Sequence, residues 1–220
     1  LLEYINNDSN WEDKYGDEYN NDRNKYILEI ERFSSGLDLI RNNQDVEYAF
    51  KLTNDVFSRI DPLNKTSWRL FQLVFIVSQI PSIASLSGNY PELIEERNVV
   101  DVIYFPTGGG KTEAYLGTVV FHLFFDRLRG KTAGVTAWTR FPLRLLTLQQ
   151  TQRAADAVSI AELVRLEQSD ERLSGDNIDG FAVGYFVGQS STPNEIKPPD
   201  SYQPVRLEWS QANDERTRQS

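Results

Sequence analysis

Residues 105–112, Phe-Pro-Thr-Gly-Gly-Gly-Lys-Thr, are the residue types that grip a polyphosphate. Consecutive glycines let a backbone wrap closely around an anion where a Cβ would obstruct it. A helix beginning directly afterwards adds free N–H groups and a favourable dipole. Lys111 would reach the β- and γ-phosphates of ATP, and the Thr112 hydroxyl would ligate Mg²⁺. Thr107, Gly108, Gly109, Gly110, Lys111 and Thr112 are therefore the candidate ligands of ATP, with Thr112 the candidate metal ligand. The general phosphate-loop pattern wants a glycine five residues before Gly110, where Phe105 stands. A phosphate-binding enzyme of another kind, such as a kinase or transport ATPase, a degenerate nucleotide- or nucleic-acid-binding module, and a glycine-rich turn that happens to precede Lys-Thr are the alternatives.

The departure at Phe105, with Pro106-Thr107 ahead of Gly108-Gly109-Gly110-Lys111-Thr112, resembles superfamily 2 helicases, which relax that position. Two flanking segments resemble the same family. Trp68-Arg69-Leu70-Phe71-Gln72 is similar to its Q motif, which makes Arg69 and Gln72 candidate nucleotide-binding residues. A glutamine amide carries donor and acceptor together and matches the paired edge of adenine, while Phe71 or Trp68 could stack on the ring. The alternative is a polar residue on a core helix. Residues 141–149 (FPLRLLTLQ) are similar to motif Ia, matching at Pro142, Arg144, Leu146 and Gln149 and departing at Leu143, Leu145 and Thr147. The resemblance implies contact with a nucleic-acid backbone through Arg140, Arg144 and Gln149. Proline at a helix start loses no hydrogen bond, and the first-turn N–H groups with the two arginines suit a phosphate. Between Arg127 and Ala155 there is no acidic residue, against six Lys and Arg. A chance cluster on a solvated helix face is the competing reading.

Something must position these groups. Apolar spacing is helical from Lys25 to about Ile40, again from about Asp45 to Asp61-Pro62, and from about Ser67 to Ile80, with Pro81 as the expected stop. Residues 99–105 (VVDVIYF) form a β-rich run. A helix is expected after the glycines to about Leu128, a second strand over 133–141, a helix from Pro142 to about Glu167, and a third strand over 181–187. That alternation predicts an α/β fold: a RecA-like parallel sheet flanked by helices, incomplete, preceded by a small helical segment. The organisation expected is a polar acidic segment over 1–24, a helical accessory segment over 25–66, the opening part of a first RecA-like domain over 67–195, and a Pro-rich linker and tail over 196–220. His122 reads as a packing residue, Glu113 as favourable to its helix N-terminus, and the 188–194 loop as a weak further phosphate contact.

Composition sets limits. Forty per cent hydrophobic and 25% charged residues suit a globular domain, and the absence of cysteine excludes disulfides and thiolate metal sites. A net charge of −9 argues against indiscriminate nucleic-acid binding. No apolar run is long enough for a membrane span and no signal peptide is recognisable, so a cytoplasmic protein is expected. The chain begins at Leu1, so residues upstream are expected too.

Residues 68–73, 105–117 and 143–154, with Arg32-Phe33, Gly36-Leu37, Ala49-Phe50 and Asn54, together resemble the helicase component of DISARM-type bacterial anti-phage systems. The resemblance spans roughly residues 30–195. It implies a very large ATP-dependent, DNA-engaging protein acting with a second DISARM subunit, the present chain being one stretch of it. Hydrolysis in that family needs an acidic motif II and the arginine fingers of a second RecA-like domain. Asp170-Glu171 and Asp214-Glu215 lie in polar surroundings with no apolar strand before them, so neither is expected to serve as motif II. This stretch alone is expected to bind nucleotide without turning it over.

Overall fold

The computed structural model describes residues 9–60, 67–106, 108–141 and 144–184, with the backbone alone for 9–15 and 144–148. The chain divides into Leu1–Val183 and Gly184–Ser220, and the helices among the described residues lie in the first unit. They are α1 (Ser9–Asn42), α2 (Gln44–Ile60), α3 (Leu70–Ser85), a 3-10 helix (Pro91–Asn98), α4 (Lys111–Leu128), α5 (Arg144–Leu166) and the single turn α6 (Glu171–Ser174). No helix among the described residues is long and apolar enough to cross a membrane.

The helices follow from spacing and caps. In α2, Val46, Ala49, Leu52 and Val56 recur at three- and four-residue intervals and are buried. Asn43 caps the start, its side-chain oxygen accepting from the N–H groups of Asp45 (2.9 Å) and Val46 (3.0 Å). In α4, Leu116, Val120, Phe124 and Leu128 form one buried row, and Phe121 and Phe125 widen it. These side chains meet Ile80, Ile83 and Ala84 of α3, and Ala157, Ala161 and Val164 of α5, in one apolar core. Helix α1 reaches back to Ser9 through a kink at Gly16, whose φ of 52° is outside the helical range. Helix α3 runs through Pro81 to Ser85 instead of stopping there, its last turns held by the burial of Pro81, Ile83 and Ala84.

The expected parallel sheet is a correction. Among the described residues there is no strand, so neither the sheet nor the RecA-like α/β class is found; the described fold is helical. A β-rich composition only suits a segment to a pleated, half-buried surface, and a strand forms when a neighbour pairs with it. Among the described residues the 99–105 segment has no such neighbour. Val100, Val102 and Tyr104 are 87%, 84% and 96% exposed. Val135 and Trp138 in the second expected strand are likewise exposed, and residues 181–184 are irregular. Residues 185–187 of the third expected strand lie outside the described residues.

Two features fix the segment that leads into the glycine loop. Buried Arg32 of α1 forms a two-pronged pair with Asp101 (2.6 and 3.1 Å) and donates to Glu96 (2.9 Å), while Gln79 of α3 donates to Asp101 at 2.8 Å. Burial pushes the Asp101 carboxyl up, but the bonds from Arg32 and Gln79 outweigh it and hold it below the usual carboxylate range. In addition, α1 and α3 approach closely at Gly36, where a Cβ would lie 2.1 Å from the Val77 carbonyl oxygen. Gly36→Ala is expected to lower stability by about 2–3 kcal/mol, because backbone rather than a flexible side chain must give way. A denaturant titration checks this; an unchanged midpoint would mean that the helices do not pack here.

Candidate functional site

Helix α4 begins at Lys111, directly behind a loop whose shape demands glycine. Gly108 and Gly110 have φ of 78° and 92°, in the region that side chains disfavour. A Cβ on Gly109 would meet the Phe105 ring at 2.5 Å, and one on Gly110 would meet the Gln72 amide at 2.6 Å. The Gly109 N–H donates to the Pro106 carbonyl (3.1 Å), which closes the turn. Gly110 at the α4 N-cap supplies no side-chain cap, and the helix dipole faces the loop.

The start of α3 braces this loop. Gln72 is 5% exposed, and both ends of its amide are engaged. Its nitrogen donates to the Gly110 carbonyl (2.8 Å), and its oxygen accepts from the Arg69 N–H (2.9 Å). The Arg69 guanidinium donates to the Gly109 carbonyl (2.5 Å). Phe71 stacks on Phe105 with ring centroids 3.9 Å apart, and Trp68 donates to Asn54 (2.6 Å) while leaning on Phe57. Arg69 and Gln72 are thus brought to the phosphate loop, and the two aromatic rings face protein partners. Lys111 donates to the Phe105 carbonyl and to the Pro106 carbonyl (3.1 Å), so its ammonium lies across the loop it would serve.

The other side of the loop is met by α5. The Gln150 side-chain oxygen accepts from the hydroxyls of Thr112 (3.3 Å) and Tyr115 (2.6 Å), and Arg153 donates to Glu113 (2.5 Å). Burial pushes the Tyr115 phenol above its ordinary value, so the ring stays neutral and can donate. Gln150, Tyr115 and Arg153 were not legible as site residues from motifs. Residues 150, 153, 157, 161 and 164 do fall at helical spacing, which places Gln150 and Arg153 at the end of the stripe that buries Ala157, Ala161 and Val164.

The expected nucleic-acid residues are placed differently. Arg140 is exposed on the segment before α5; Arg144 opens α5; Gln149 is exposed beside Gln150. Thr107 and the 188–194 loop lie outside the described residues. The acid-free stretch is less free than its sequence suggests. Arg127 is buried and donates to the carbonyls of Lys131 (2.7 Å) and Asp179 (3.0 Å). Arg129 and Lys131 both bind Asp126 (2.5 and 2.6 Å), and Arg153 binds Glu113. His122, read as a packing residue, lies 3.4 Å from Asp126 on the inner part of α4. Of Asp170 and Glu171, the first caps α6 by accepting from the Arg172 N–H (2.9 Å), a structural task.

The residues present fit a nucleotide. The loop's left-handed glycines leave its backbone without side chains at 108–110, and Lys111 stands beside it, a donor chemistry suited to phosphate oxygens. Among the described residues no group of three or more His, Cys, Asp or Glu could hold a metal. A magnesium ion here would take its oxygens from phosphate, water and the Thr112 hydroxyl, which matches how that ion is usually bound.

No protein-family profile matches the chain, and no solved structure matches it. The chain is, however, related in sequence to a DISARM protein. That relative is DISARM protein DrmA of Bacillus paralicheniformis, 34% identical over an alignment 194 residues long that covers 76% of this chain. The chain spans 16% of the length of that relative.

Proposed function

We propose that this chain carries the ATP-phosphate-binding part of a superfamily 2 DNA helicase or translocase acting in bacterial anti-phage defence, with DNA, the remainder of the motor and a second DISARM subunit as its partners. The observation that carries the reading is the glycine loop of residues 108–110, held open at the start of α4 by Gln72 and Arg69, with Lys111 and Thr112 directly after it. Similarity to a DISARM protein supports the defence role.

When ATP binds, Lys111 exchanges the Phe105 and Pro106 carbonyls for phosphate oxygens, and first-turn N–H groups of α4 take the others. Gln72 and Arg69 keep the glycine carbonyls turned away from the anion. Thr112 would hold a magnesium ion accompanying the nucleotide, and that ion would supply charge neutralisation to the phosphates. Arg140, Arg144 and Gln149 contact the DNA backbone. The full-length protein should release phosphate from ATP, faster with DNA present; no release under either condition would overturn the reading. Arg140→Ala with Arg144→Ala is expected to weaken DNA binding by about tenfold and to flatten its salt dependence by roughly two phosphate contacts. Binding titrations across salt concentrations check this, and an unchanged slope would remove these arginines from the interface.

A further inference from the structure

A hydroxyl that ligates a cation spends a lone pair on the metal and must direct its proton elsewhere. In this structure the Thr112 hydroxyl lies 3.3 Å from the side-chain oxygen of Gln150, placed to donate to it, and that oxygen also accepts from Tyr115 at 2.6 Å. Two donors fill the two lone pairs of an amide oxygen. The shorter Tyr115 bond fixes where the oxygen sits, and the longer Thr112 bond has room to tighten. A bound cation draws electron density from its ligand and makes the hydroxyl a stronger donor.

The arrangement is anchored on both helices. Thr112 and Tyr115 are three residues apart on α4, and Gln150 and Arg153 are three apart on α5, so each pair shares a face. The Arg153–Glu113 ion pair at 2.5 Å holds the two faces together one residue from Thr112. Gln150 therefore needs no movement of α5 to reach its partner. We propose that Gln150 is a positioning residue for the magnesium ligand: by accepting the Thr112 proton it turns the hydroxyl's free lone pair toward the metal of a bound nucleotide. This rests on the nucleotide-binding reading above.

Equilibrium titration of the full-length protein with fluorescent methylanthraniloyl-ADP, in excess magnesium and in EDTA, tests it. Magnesium should tighten binding by wild type, and Thr112→Val should lose that gain. Gln150→Leu is expected to cut the gain by about tenfold, as loss of an outer partner of a metal ligand does, with affinity in EDTA unchanged. Gln150→Glu, which keeps the acceptor, should retain most of it, and Tyr115→Phe should retain it as well. A full magnesium gain in Gln150→Leu, or an equal loss with and without magnesium, would overturn the positioning role and leave the nucleotide site standing. No binding by wild type, or wild-type affinity in Lys111→Ala, would overturn the site itself and the positioning role with it.

Discussion

Replacing Asp126 by alanine is expected to lower stability by about 3–5 kcal/mol, the cost of removing one partner from a buried charge network. Asp126 is fully buried near the end of α4, and its carboxylate gathers four side chains. Arg129 donates to one oxygen (2.8 and 2.5 Å), and Lys131 (2.6 Å) and Thr136 (2.7 Å) donate to the other, with His122 at 3.4 Å. A carboxylate at a helix C-terminus opposes the helix dipole, and these cations more than offset that. Its removal leaves Arg129 and Lys131 without their counter-charge and the turn beyond Gly130 without its anchor.

The same network fixes a pH dependence. Burial pushes the Asp126 carboxyl up, but His122, Lys131 and Thr136 outweigh it and hold the group far below the usual carboxylate range. A depressed folded value means that the stabilisation is complete above the unfolded carboxyl's value, about pH 4, and is lost progressively as pH falls below it. Thermal melts of wild type and Asp126→Ala should therefore differ by on the order of 10 °C near neutrality and draw together in acid. Equal melting temperatures at neutral pH would show that the network contributes nothing.

Lys111→Ala is expected to weaken ATP binding on the order of a hundredfold and to abolish DNA-stimulated phosphate release. A charged donor to phosphate contributes about 1.5–3 kcal/mol, and the upper end corresponds to that factor. Stability should hardly change, because Lys111 is not part of the core and its present partners are two loop carbonyls. Lys111→Arg should not restore function fully, since a planar fork does not replace a compact ammonium in a cradle shaped by glycines. Titration with ATP and a parallel denaturation curve separate the two effects; a variant that binds ATP as wild type does would refute the role.

Much of this was legible in the residues. The helical stretches declared themselves because Val46, Ala49, Leu52 and Val56, or Leu116, Val120 and Phe124, repeat at the helical period and are the side chains the core buries. The loop was legible because only glycine satisfies the backbone at 108 and 110. The sheet was misread because strand formation depends on distant partners. Val100, Val102 and Tyr104 have the right composition, but no neighbouring strand pairs with them among the described residues. The basic stretch holds less free charge than its composition suggests, because Asp126 and Glu113, both earlier in the chain, pair with Arg129, Lys131 and Arg153 within it. Motif comparison pointed to Gln149, whereas the helical stripe turns Gln150 toward Thr112. The two adjacent glutamines thus face different ways, Gln149 exposed and Gln150 toward Thr112.

Hydrogen–deuterium exchange of the full-length protein, with and without ATP and magnesium, tests the phosphate loop most directly. ATP is expected to slow exchange at residues 108–113, where amides would bind phosphate, and at 69–73, which brace them, and to do neither in Lys111→Ala. Unchanged exchange across 108–113 at saturating ATP, or equal slowing in Lys111→Ala, would contradict the assignment of this loop as the nucleotide site.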